Sequence, residues 1–232
     1  MQPYAPLTKN IEQAVDIIRQ GRVVAFPTGT SYGLAADALQ GHALQRVRNL
    51  KHRPADKALT VYMDPSLYEA HLELTAAEKD FITKNAGQAI TLLVKPKASL
   101  GHLAQDGRIG LRFIDHPLMA ALAEAARVPL TATSANISDT PACFDIACLK
   151  KNFPGRLPDE HLRWYEPADL AGAKDTTYDL SLGCMVDGGT LPARQASTII
   201  RLDGEKITVI RPGKAKRVFN IPQSSKMLEI RL

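Results

Sequence analysis

Short apolar runs alternate with amphipathic stretches along most of this chain, and that alternation limits the fold to an α/β architecture. Residues 9–20 place Ile11, Ala14, Val15 and Ile18 on one helical face, with Gly21 as the stop. A buried strand is expected over 22–27 (RVVAFP), closed by Pro27. A helix follows over 42–51, with Leu44, Val47 and Leu50 as its apolar stripe, then a strand over 58–63. The next helix, 75–86, opens on Thr75 with Glu78 three residues on, the pattern of a capping box. Strands are expected over 90–95 and 108–113, a helix over 116–127 with Pro117 near its start, a strand over 129–134 and a short helix over 144–153. Three β-rich pieces, CMVDGG, ASTIIRL and KITVIR, close the series. This order predicts a mixed, twisted sheet with helices packed on it. The stretch 154–180 is polar and rich in Pro and Gly, and reads as an elaborate loop inside a single domain spanning 1–232.

A chain of 232 residues, 45% of them hydrophobic, can bury a substantial core without cross-links. Its net charge of +5 favours anionic partners such as nucleotides or RNA, although a solvated basic surface explains it as well. Cys143, Cys148 and Cys184 are too few and wrongly spaced for a four-cysteine zinc site, so buried or free thiols in a reducing compartment are expected. The first residues lack the basic-then-apolar pattern of a signal peptide, and no run of about 18 apolar residues is present to span a membrane. A cytoplasmic protein is the expectation.

Several patches carry groups suited to chemistry. Lys51, Arg53 and Lys57 fall within seven residues at the end of a helix. Thr133 and Ser134 end a predicted strand, and Asn136 follows it. Cations offset phosphate charge, and hydroxyl and amide donors fix phosphate geometry, so the two patches together point to a nucleotide. The plain structural alternative for the first is a solvated helix end, where cations complement the helix dipole. PTGTSYGL (27–34) sets hydroxyls and glycines at a strand end, as a ligand-wrapping loop or an ordinary βα connection. Arg108 and Arg112 lie four apart on one strand and so face the same side, among Ile, Leu and Phe, where such a pair needs anionic company. Ser197-Thr198 and Arg211-Pro212-Gly213 repeat the pairing of hydroxyl and guanidinium at strand ends. Walker, dinucleotide-binding, zinc-protease and nucleophile-elbow motifs are all missing, so a nucleotide would be held by dispersed strands.

In colinear order, FPTGTSYGLAADAL, LKHRPADKALTVYM, IGLRFIDHPLM, PLTATSANISDTPA, VDGG, STII and IRPG resemble the YrdC family of threonylcarbamoyl-AMP synthases in its short form. The paired K-x-R and S-x-N motifs carry the resemblance, from about residue 10 to residue 214. It implies a YrdC-like α/β fold, a twisted mixed sheet with flanking helices and a basic concave face. It also implies a reaction of L-threonine, bicarbonate and ATP that releases pyrophosphate and yields threonylcarbamoyl-AMP. The product would go to partner proteins that modify adenosine 37 of tRNA. Carried over position by position, Lys51, Arg53, Lys57, Arg108, Asn136 and Arg211 match the ATP site, with Mg²⁺ on the phosphates. Thr30, Tyr62, Arg112, Ser134 and Ser197 match the threonine site, with Arg112 forking onto the carboxylate. No side chain is cast as a nucleophile or base, and no residue as a metal ligand.

The chain departs from the family pattern at several places. Gly29 replaces the Glu of P-T-E-T, Tyr62 a His, and Phe144 a small hydroxyl residue; Arg201 replaces an Asp, and GQAIT (87–91) the P-G-P-x-T turn. These changes lean toward a divergent, YciO-like subgroup. Two alternatives follow: an RNA-binding or ribosome-associated module of the YciO type, recognising double-stranded RNA or tRNA without turnover, and an adenylating enzyme for another carbamate. Complete K-x-R and S-x-N motifs favour the synthase, because an RNA binder would set aromatic residues among its arginines.

Overall fold

The computed structural model describes residues 5–54, 57–153, 182–204 and 206–215, with side chains from Ile11 onward in the first helix. Its elements in chain order are α1 (Ala5–Arg19), β1 (Val24–Pro27), β2 (Tyr32–Ala35), α2 (Gly41–Lys51), β3 (Val61–Tyr62), α3 (Tyr68–His71), β4 (Leu72–Glu73), α4 (Ala76–Lys84), β5 (Ile90–Pro96), β6 (Ile109–Arg112), α5 (Pro117–Ala126), β7 (Leu130–Thr131), β8 (Thr133–Ser134), α6 (Ile146–Asn152), β9 (Cys184–Met185), β10 (Thr198–Asp203) and β11 (Lys206–Arg211). Two 3₁₀ turns, Pro65–Leu67 and Ala98–Leu103, complete them. The stretch 154–180 read as a loop lies outside the described residues.

The strands form two mixed sheets. One has four strands in the order β8-β2-β1-β9; in the other, β11-β10-β5-β6-β3-β7 are neighbours and β4 pairs with β5. Parallel pairs (β1 with β9, β10 with β5, β3 with β6) are interleaved with antiparallel ones. Successive side chains of a strand point to opposite faces, and each sheet uses both. In β1, Val24 and Phe26 pack with Ile18 of α1 and Leu122 of α5, while Ala25 joins the larger core. In the second sheet Ile90, Leu92, Ile109, Leu111, Ile200 and Leu202 face that core. The intervening Thr91, Leu93, Gly110, Arg112, Ile199 and Arg201 turn to the opposite face and line a cavity. The cavity therefore lies on the second face of a sheet whose first face is core.

Local chemistry explains the helix starts. The Thr75 hydroxyl accepts the Glu78 N–H at 3.2 Å, and a Glu78 carboxylate oxygen accepts the Thr75 N–H at 2.8 Å, the reciprocal cap the spacing predicts. α5 begins with Pro117 just inside its His116 cap, and α1 runs out before Gly21, whose φ of +71° suits glycine.

Three expectations change. PTGTSYGL is not a βα connection: it turns β1 into antiparallel β2, pairing Pro27 with Tyr32, and its Thr28, Thr30 and Ser31 line the cavity. The strand expected over 129–134 divides into β7, in the larger sheet, and β8, in the smaller. At the break the Thr131 hydroxyl donates to the Leu34 carbonyl and accepts the Ala36 N–H, both at 3.0 Å, so it bridges toward β2. The cysteines also differ from expectation. Cys143 and Cys148 form a disulfide, and Cys184 alone is a free, buried thiol. Cys148, in the first turn of α6, meets Cys143 in the segment that leads into that helix, a proximity that zinc-type spacing rules do not register.

Candidate functional site

The cavity has a volume of about 850 Å³. Arg53, Lys57, Arg108, Arg112, Arg194, Arg201 and Arg211 line it together with one carboxylate, Asp106. Hydroxyls of Thr28, Thr30, Ser31, Thr60, Thr91, Thr133, Ser134 and Ser197 supply the neutral donors. Its floor is β5, β6 and β10, where Gly110 is required: a Cβ there would lie 2.6 Å from a Thr60 methyl and 2.9 Å from a Thr91 methyl.

The K-x-R and S-x-N patches meet. α2 ends at Lys51 as His52 turns into the left-handed region at φ 47°. Lys51 stands four residues after Val47 and seven after Leu44, on the buried face of α2, and is 2% exposed. Its ammonium donates to the carbonyl of Ser134, to the carbonyl of Asn136 at 2.9 Å and to the Asn136 side-chain oxygen at 3.2 Å. Burial, with the nearby charge of Arg53, pushes its pKa down to about 8. The Asn136 amide donates to the carbonyls of Ile137 and Thr140, and its oxygen also accepts from the Ser134 hydroxyl. Lys51 and Asn136 are thus buried members of one network, and neither lines the cavity. Ser134 and Arg53 do line it, Arg53 donating to the Ala58 carbonyl at 2.7 Å.

Arg108 and Arg112 share the cavity face, as their spacing predicts. Arg108 lies 3.7 Å from the carboxylate of Glu78, itself tied up in the α4 cap. Arg112 donates to Asp115 at 2.9 Å, and both side chains are buried, 7% and 1% exposed. Burial lowers the Arg112 pKa and Asp115 opposes that shift. The other Asp115 oxygen accepts the Gly29 N–H at 3.2 Å, and a Cβ at Gly29 would fall 2.2 Å from this carboxylate. Absence of a side chain at 29 is thus matched by a carboxylate from 115. The Gly29 carbonyl accepts from Lys214 at 2.9 Å and Arg194 at 3.4 Å. Ser197 pairs with the Thr91 hydroxyl at 2.8 Å, and Arg211 donates to the Ser197 carbonyl at the same distance. Thr30 meets Thr28 at 3.1 Å, and Lys57 lies 3.5 Å from Asp139.

Tyr62 does not join them. It is fully buried in the smaller core cluster, stacked on Phe26 with ring centroids 5.4 Å apart, and it is Phe26 that reaches the cavity. Its hydroxyl has no hydrogen-bond partner among the described residues, and burial raises its pKa well above the ordinary value. A tyrosine in place of a polar ring extends the apolar stack and turns this position into core.

Asp115, Arg194, Lys214 and Tyr32 are contributors that motif reading passed over. Tyr32 accepts the Gly188 N–H at 2.9 Å and donates to the Gly189 carbonyl at 2.8 Å, pinning the D-G-G turn beside the cavity wall. Its signal was the D-G-G sequence itself. Lys214 directly follows R-P-G and Arg194 stands three residues before the Ser of S-T, so nearness to quoted motifs was the clue available for both.

A two-sheet α/β protein with a cation-lined cavity on the outer face of one sheet is the class these features define. The family model described as "Telomere recombination", covering the Sua5, YciO and YrdC proteins, matches residues 16–158, and the chain belongs to that family. It is 29% identical over 210 residues to threonylcarbamoyl-AMP synthase of Pyrococcus abyssi, covering 88% of this chain and 54% of that protein. Against the threonylcarbamoyl-AMP synthase of Escherichia coli O1:K1 the identity is 30% over 154 residues, covering 64% of this chain and 81% of the relative. The crystal structure of P. abyssi Sua5 complexed with L-threonine superposes with a TM-score of 0.70 at 26% identity, over 89% of this chain and 54% of that one. E. coli YciO shares the fold, with a TM-score of 0.62 at 22% identity over 89% and 90% of the two chains. The chain spans about half the length of the Pyrococcus relative.

Proposed function

We propose that this protein is an L-threonylcarbamoyladenylate synthase. The threonine amine and bicarbonate give a carbamate and water. A carbamate oxygen attacks the α-phosphorus of ATP, and the bond to pyrophosphate breaks. The product would serve threonylcarbamoyl modification of tRNA adenosine 37 through partner proteins. The observation that carries this reading is the cavity itself, where seven cationic side chains face one carboxylate. Such a lining suits a polyphosphate, and catalysis by positioning and charge stabilisation needs no side-chain nucleophile. Arg53, Lys57, Arg108 and Arg211 would take the phosphates, while Thr30, Ser134 and Ser197 would orient the amino acid. Lys51 and Asn136 would act from behind, holding Ser134 in place. Among the described residues no group of three or more His, Cys, Asp or Glu side chains is arranged to hold a metal, so Mg²⁺ would come bound to the nucleotide's phosphates.

The test is pyrophosphate release from MgATP by the full chain. Release should require both L-threonine and bicarbonate, and release independent of threonine would reject the reading. Salt-sensitive binding of double-stranded RNA without ATP turnover would put an RNA-binding module in its place.

A further inference from the structure

The Cys143–Cys148 disulfide stands behind one wall of the cavity. Ala142, its neighbour in sequence, lines that cavity, and so does Tyr32. The Cys143 carbonyl accepts the Tyr32 N–H at 2.8 Å, and the Phe144 carbonyl accepts the Leu191 N–H at 2.7 Å. Residues 143 and 144 therefore hold β2 on one side and the segment leading to Arg194 on the other, and the cross-link ties them to α6. As a staple it adds little, because its cysteines are only five residues apart and the chain already has a large core. Its two ends differ in access: Cys143 is fully buried in the larger core, while Cys148 is half-buried. Attack on a disulfide follows access, so a thiol arriving from solvent reaches the Cys148 sulfur. The Asn152 side-chain amide lies 3.2 Å from the Cys143 sulfur and 3.4 Å from that of Cys148, a donor placed to receive negative charge on either. Lys151, exposed and three residues beyond Cys148 on the same face of α6, sets a cation beside the approach. The nearby carboxylate, Asp145, is held in the α6 cap, where it accepts the Cys148 N–H at 2.7 Å.

We propose that this disulfide is a thiol–disulfide exchange site, opened at Cys148 by a small anionic thiol of the glutathione kind, and that opening it loosens the cavity wall at Tyr32 and Leu191. In the first step a thiolate bonds to the Cys148 sulfur as the bond between the cysteines breaks. The electron pair leaves on Cys143, where the Asn152 amide meets it and a proton follows. The thiolate of a second thiol then attacks the external sulfur of the mixed disulfide. Cys148 leaves as a thiolate and is protonated, and the two small thiols depart as their own disulfide. Two electrons thus pass from two thiols to the protein. Neither part depends on which ligand the cavity takes.

Reduced glutathione, and separately the cationic thiol cysteamine, added to the native full chain test the exchange, with acid quenching and peptide mass mapping. Glutathione should open the disulfide in proportion to its concentration, with the first adduct on Cys148 and Cys184 unmodified. Urea below the unfolding transition should change that rate by less than twofold. Opening only as urea unfolds the protein, or a first adduct on Cys143, overturns the exchange site. Lys151→Gln should slow glutathione at least threefold and leave cysteamine no slower; equal slowing of both overturns the preference for an anionic thiol. Hydrogen exchange reads the link to the cavity in wild type reduced with dithiothreitol, so no variant has to fold. The amides of Tyr32 and Leu191 should exchange at least tenfold faster than in the oxidised protein, with that of Leu92 in β5 within twofold. Unchanged Tyr32 and Leu191 amides overturn the link and leave the exchange site standing. Equal acceleration at Leu92 also overturns it, since reduction would then loosen the whole fold.

Discussion

Lys51 is a buried ammonium satisfied entirely by acceptors from the S-x-N segment. Replacing it by Met removes the donor and strands two backbone carbonyls, each costing about 1–3 kcal/mol when buried unpaired. Lys51→Met should therefore lower unfolding free energy by roughly 2–4 kcal/mol at neutral pH, read from urea midpoints. The shift of its pKa sets a pH signature. With the folded value near 8 and the ordinary value at 10.5, the unfolded chain holds the extra proton between these limits, and stability rises with pH across that window. The stability gap between wild type and Lys51→Met should widen by up to about 3 kcal/mol from pH 8 to 10.5. A gap that stays constant or narrows would contradict a depressed Lys51 pKa. At this scale the sequence identified which residues gather, and not which of them reach the cavity. K-x-R and S-x-N were legible as one site because their chemistry is complementary. That the lysine spends its charge on carbonyls was not legible, since its acceptors lie on a segment more than eighty residues away. Tyr62 misled for a related reason: only its stacking on Phe26 shows that the ring points into the core.

Among the elements, α4 carries a coupling between stability and the site. Glu78 completes the Thr75 cap and also lies beside Arg108. Thr75→Ala should cost about 1 kcal/mol in unfolding free energy and leave ATP affinity unchanged. Glu78→Ala should cost a similar amount and alter ATP affinity as well, because Arg108 loses its neighbouring carboxylate. Equal ATP affinity in the two variants, measured by titration, would show that Glu78 acts on the helix alone. The cap was readable from spacing; its link to Arg108 was not, because nothing local relates residue 78 to residue 108. Much the same holds before α6, where Cys143 and Cys148 were read singly. Thiol alkylation of denatured protein should label Cys184 alone before reduction and all three cysteines after it, by mass spectrometry. Labelling of all three without reductant would mean the disulfide does not form. By loop-closure entropy so short a ring contributes about 2 kcal/mol.

For the molecule as a whole, helix and strand order was legible because amphipathic period and apolar runs are local properties. Sheet membership was not. The run over 129–134 looks continuous, yet Thr131 divides it between two sheets through partners at Leu34 and Ala36. The cavity arises from that higher level of order, as alternate residues of β5, β6 and β10 leave the core and face outward together. The tie from Lys51 to Ser134 and Asn136 crosses more than eighty residues of chain. In a lineage that loses the lysine, the asparagine oxygen keeps only the Ser134 hydroxyl as donor; in one that loses the asparagine, the lysine is left with fewer acceptors. The two motifs are therefore physically a single unit, and across relatives a loss at one should be accompanied by a change at the other.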